Sequence, residues 1–109
     1  LFRKVADLLA ANEGKVRSVK RYADELCITP KYLSFVSKTV TGKTALEWIH
    51  QSTVKSIERY LSHSNMSIKE IADILEFPNL SFFGKFTKSH LGVSPTEYRR
   101  QQSMKKNNL

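Results

Sequence analysis

An internal repeat limits what this 109-residue chain can become. Val19, Ala23 and Leu26 recur as Ile68, Ala72 and Leu75 at an offset of 49, whereas Leu33 and Gly42 recur as Phe83 and Gly92 at an offset of 50. The second copy has therefore gained one turn residue. Each copy reads as a short helix with a small residue facing its partner, a tight turn, and a second helix closed by glycine. That is the grammar of a helix-turn-helix. Ala23 and Ala72 allow the two helices of each copy to cross closely, since a larger side chain would push the second helix off its angle. A solenoid of αα-hairpins shares the pattern. Such solenoids usually need three or more copies and show no comparable charge excess, so the pair is read as a nucleic-acid-binding unit.

Helix punctuation is clear along the whole chain and strand signals are nearly absent, so the fold class is all-α. Residues 1–12 place Phe2, Val5, Leu8 and Leu9 on one face, and Gly14 follows as a stop. Ser18 is positioned to cap a short helix containing Val19, Tyr22, Ala23 and Leu26, and Thr29-Pro30 opens the next, which runs through Leu33 and Val36 to Gly42. Thr44 and Glu47 form a capping-box pattern, and no Gly or Pro follows before Ser62, which predicts one long helix. Trp48 and Ile49 are expected in the core of the first lobe, Ile57 and Leu61 in that of the second. A second capping box at Ser67–Glu70, the Phe77-Pro78-Asn79 turn, Gly92 and Ser94-Pro95 mark out the remaining helices. The expected organisation is a first lobe over 1–43, a linker helix over 44–62, a second lobe over 63–100 and a polar, fraying tail over 101–109.

Charge narrows the partner. Lys and Arg total 18 against 10 acidic residues, a formal charge of +8, which calls for a polyanion. Nucleic acid, an anionic membrane surface and an acidic protein all qualify. The basic residues spread over several short capped helices rather than one long amphipathic face, which disfavours the membrane. No stretch approaches the roughly 20 apolar residues of a spanning helix. His50, His63 and His90 show no metal-ligand spacing, no Gly-rich phosphate loop is present, and Cys27 lacks an evident catalytic partner, so neither an enzyme nor a cofactor is expected. Cys27, between Leu26 and Ile28, reads as a small buried hydrophobe, and the single cysteine suits a reducing cytoplasm. The chain begins with Leu1 and with a helix already under way, which suggests a piece of a longer protein.

With Leu33 and Val36 pointing inward, the second helix of the first lobe turns Lys31, Ser34, Phe35 and Lys38 outward. Lys31 and Lys38 suit phosphates or a guanine edge, whereas Phe35 either touches a thymine methyl or packs against a neighbouring domain. The equivalent helix of the second lobe, entered by Asn79, exposes Leu80, Ser81, Gly84, Lys85 and Lys88. Phe82 either joins the core or touches DNA, and the general tendency of aromatics favours the core.

The stretch from Val19 to Arg99 resembles the paired helix-turn-helix domain of AraC/XylS-type transcription regulators. The resemblance is closest in Ser67-Ile68-Lys69-Glu70-Ile71-Ala72, Phe77, Ser81-Phe82-Phe83-Gly84-Lys85 and Gly92-Val93-Ser94-Pro95-Thr96-Glu97-Tyr98-Arg99. It implies seven helices, two homeodomain-like lobes joined by the long middle helix, and two recognition helices entering successive major-groove segments of double-stranded DNA. It also implies RNA polymerase as a further partner and an effector or sensor domain elsewhere in the parent chain. Lys85 stands where the family often has arginine, and Phe35 where it commonly has a polar or charged base-reader. A helical protein-interaction adaptor with only non-specific DNA affinity is the alternative.

Overall fold

The computed structural model describes residues 1–107, and its elements are seven α-helices. They are α1 (Phe2–Asn12), α2 (Val19–Glu25), α3 (Pro30–Thr41), α4 (Ala45–His63), α5 (Ile68–Ile74), α6 (Leu80–Leu91) and α7 (Pro95–Asn107). The chain divides into two compact units, Leu1–Thr53 and a second beginning at Val54, so the boundary falls within α4.

In the first unit α2 starts because Ser18 Oγ accepts from the Arg21 amide at 3.4 Å. Thr29 Oγ1 accepts from the Tyr32 amide at 3.0 Å to start α3, with Pro30 at its first position, where a missing N–H costs nothing. The turn between them is a Schellman closure. Cys27 N–H donates to Asp24 O at 3.1 Å and Ile28 N–H to Ala23 O at 3.0 Å, with Cys27 in the left-handed region at φ 58°. The second unit repeats it. Glu76 N–H reaches Asp73 O at 3.0 Å and Phe77 N–H reaches Ala72 O at 2.9 Å, with Glu76 at φ 59°. Thr29 follows Ile28 directly, whereas Pro78 separates Phe77 from the N-cap Asn79, and this is the residue that moves the offset from 49 to 50.

The left-handed geometry also corrects the expectation for Cys27, which is exposed. Its place in the Schellman turn holds the backbone, and the apolar run of the sequence is completed by Ile28, which packs against the core. Ala23 and Ala72, at 0% and 2% exposure, lie buried in their respective units as the repeat requires.

The first core gathers Val5 and Leu9 of α1, Tyr22 of α2, Leu33 of α3, and Ala45 and Ile49 of α4, with Trp48 packed against it. The second gathers Ile57 and Leu61 of α4, Ile71 and Leu75, Phe77 and Phe83. Leu33 and Phe83 fill equivalent places. The repeat also fixes where glycine is needed, because Gly42 and Gly92 both close their helices at φ 81°.

The polar tail departs from expectation. Residues 101–107 continue α7 as helix, and residues 108–109 of the expected tail lie outside the described residues. No Gly or Pro stops the helix after Pro95, and Lys105 and Lys106 in its last turn complement the helix dipole. Its start is held by Arg99, whose guanidinium donates to the carbonyls of Leu61 and Tyr60, each at 3.2 Å, and of Ser64 and Met66 beyond the end of α4. Tyr98 adds a bond from its hydroxyl to Glu58 Oε2 at 3.2 Å.

Trp48 ties three features of the first unit together. Its indole N–H donates to Thr41 Oγ1 at 2.8 Å, its ring meets Phe2 edge-on at 5.9 Å, and Lys43 Nζ lies 4.8 Å from the ring centre. Trp48→Ala is expected to cost about 3 kcal/mol, the low end for an aromatic truncation because the ring is half-buried. Thermal unfolding followed by circular dichroism checks this: a drop of roughly 10 °C or more is expected, and an unchanged melting temperature contradicts it.

Candidate nucleic-acid interface

Each unit presents the second helix of its helix-turn-helix to solvent along one stripe. On α3, Lys31, Phe35 and Lys38 are exposed one turn apart, with Ser34 half-buried beside them. On α6 the equivalent stripe is Ser81, Lys85 and Lys88, all exposed, flanked by the half-buried Gly84 and by Leu80 at the helix start. Both stripes stand where the sequence places them because Leu33 and Phe83 are buried at 1% and 0% exposure and fix the rotation of their helices. Asn79 is also exposed, and its side-chain oxygen is occupied in capping, accepting from the Phe82 amide at 2.9 Å.

Two aromatic residues join these faces. Phe82 is 59% exposed, which overturns the favoured core reading. Neighbouring helical positions point about 100° apart, and Phe83 takes the inward one, where it packs with Phe77 at a ring separation of 5.1 Å. Tyr32, the repeat equivalent of Phe82, is 51% exposed and lies outside the outward set that the sequence predicts for α3. Aligning the two copies exposes the signal: each of these rings immediately precedes the buried anchor of its helix.

The electrostatics of the two helices are one-sided. Neither α3 nor α6 contains an Asp or Glu. Ion pairs among the described residues include Lys20–Asp24 on α2, Lys69–Asp73 on α5 and Arg100–Glu97 on α7, and none of these involves a stripe lysine. Several carboxylates elsewhere are engaged within their own unit, in ion pairs, in a bond to Tyr98 or at helix starts. Glu70, for example, completes a capping box by accepting from the Ser67 backbone N–H at 2.9 Å, and that bond, followed by the one with the Ser67 side chain, holds its carboxyl below the usual range. Among the described residues no cluster of three or more His, Cys, Asp or Glu could hold a metal, and no helix is long and apolar enough to cross a membrane.

Paired helix-turn-helix units with basic second helices define a class, and comparison with known proteins names it. A family profile described as a helix-turn-helix domain matches residues 22–101. The chain belongs to this family, in its AraC-type branch of DNA-binding domains. It is 32% identical over 79 residues to the regulatory protein PocR of Salmonella typhimurium, covering 72% of this chain and 26% of that protein. It is 26% identical over 95 residues to the arabinose operon regulatory protein of Escherichia coli, covering 87% of this chain and 32% of that protein. The chain thus spans about a third or less of the length of these curated relatives. The crystal structure of the DNA-binding domain of AdpA, a global transcriptional factor, in complex with a target DNA shares the fold. Its TM-score is 0.79 at 22% identity, covering 94% of this chain and 92% of that one.

Gly84 stands out on the α6 face. A Cβ built there meets nothing within 4 Å, so the protein's own packing does not require glycine in the middle of this helix. Gly84→Ala is therefore expected to raise stability by about 1 kcal/mol through helix propensity alone. Urea unfolding measures it, and a lower midpoint in the variant would contradict this account.

Proposed function

We propose that this chain binds double-stranded DNA sequence-specifically for transcription regulation, with α3 and α6 as recognition helices entering successive segments of the major groove. The observation that carries the reading is the pair of acid-free, lysine-bearing helix faces at repeat-equivalent positions. A helix of this diameter fits the major groove, and lysine on it serves both phosphate contact and the acceptors of a guanine edge. Lys31, Lys38, Lys85 and Lys88 supply the charge, and Ser34, Phe35, Asn79, Leu80 and Ser81 complete the contact surface. The transcription regulators it resembles are longer, this chain matching about a third or less of each, which supports an effector or sensor domain in the parent protein. A cytoplasmic site of action goes with the DNA partner. RNA polymerase is the further partner in this reading.

Fluorescence anisotropy with a labelled duplex across salt concentrations tests it. Neutralising four or more phosphates predicts that log K falls against log salt with a slope of about −4 or steeper. The duplex is also expected to bind far more tightly than vesicles containing phosphatidylserine. Equal affinity for duplex and vesicle contradicts the proposal. Lys85→Ala is expected to weaken duplex binding about fivefold or more, and a loss under about threefold removes Lys85 from the contact surface.

A further inference from the structure

The two stripes are not chemically alike. In repeat register Lys31 matches Ser81 and Lys38 matches Lys88, but the central position holds Phe35 on α3 and Lys85 on α6. Phe35 is 64% exposed, the highest value among the exposed large hydrophobic residues described. Its nearest neighbours along the stripe, one turn away on either side, are exposed lysines. A shallow depression of about 280 Å³ beside it is lined by Thr29, Lys31, Tyr32 and Phe35.

We propose that the two lobes read bases by different chemistry: α3 senses thymine 5-methyl groups through Phe35, while α6 senses guanine acceptors through Lys85. This rests on the DNA-binding reading above and deepens it by naming the base class each lobe takes. A phenyl ring has no donor or acceptor, so in the major groove its favourable contact is the thymine methyl, the one apolar group among the base edges. The lysines on both sides decide between DNA and a protein surface as the occupant. Seating Phe35 on a protein would strip water from Lys31 and Lys38 and require carboxylates to repay it, whereas seating it on base edges brings those lysines to the phosphates. The depression between Tyr32 and Phe35 gives a methyl a concave apolar seat rather than an isolated ring face. At Lys85 the same place on the helix carries a cation suited to guanine O6 and N7.

Replacing thymine by uracil removes only the methyl, so it isolates the contact. The experiment uses the duplex this chain binds best from a randomised pool and the same duplex synthesised with uracil throughout. The chain and its Phe35→Ala variant are titrated against both, with circular dichroism confirming that the exposed substitution leaves the helices intact. Uracil is expected to weaken binding by the unsubstituted chain about fourfold for each methyl Phe35 covers. Phe35→Ala is expected to shrink that penalty to less than twofold. Equal binding of thymine and uracil duplexes overturns the inference, as does a penalty that persists in Phe35→Ala, and both leave the DNA-binding reading standing. Failure to bind any duplex overturns both.

Discussion

Two backbone hydrogen bonds carry this fold: Ile28 N–H to Ala23 O at 3.0 Å and Phe77 N–H to Ala72 O at 2.9 Å. Each closes a six-residue turn that ends one helix and launches the next, and each requires a residue in the left-handed region, Cys27 or Glu76. Such a conformation costs a residue other than glycine roughly 1–2 kcal/mol, so the turn persists because what it aligns is worth more. It lets a small alanine sit buried between the helices and directs Leu33 or Phe83 into the core. Once those anchors are seated, the rotation of α3 and α6 is settled, and with it the choice of residues that face solvent.

The capping chemistry works to the same end. Thr29 and Asn79 begin the second helices and Gly42 and Gly92 end them, so neither can slide without losing a bond at each terminus. Helices fixed in register by both ends present their outward side chains at defined heights. The lysine stripes inherit that property, on which the proposed reading of bases depends. In the second unit Arg99 extends the same logic, because its guanidinium satisfies the carbonyls released at the end of α4 and holds α7 against it.

Much of this is legible in the sequence because it is written in local rules. Ser18, Thr29, Thr44, Ser67, Asn79 and Ser94 each precede a helix by one residue, and the two glycine stops need no tertiary context. The outward positions follow from those boundaries and a period of 3.6. What escapes the sequence is conformation that the residue type does not announce. Nothing about cysteine or glutamate signals a positive φ, so Cys27 reads as buried when its left-handed turn leaves it exposed. Phe82 and Phe83 are identical side chains side by side, and residue type does not distinguish them; the repeat does, pairing Phe83 with the buried Leu33 and Phe82 with the exposed Tyr32. The tail escapes the sequence for another reason. Its polarity suggests fraying, but helix propensity and a basic last turn extend α7 through it to Asn107.

The central claim is that one chain carries two readers, and selection of bound duplexes from a randomised pool tests it most directly. Enriched sequences are predicted to share two conserved elements about one helical turn, roughly 10 base pairs, apart. Enrichment of a single short element, or of no element despite salt-sensitive binding, would contradict the account and leave a basic domain that holds DNA without reading it at two places.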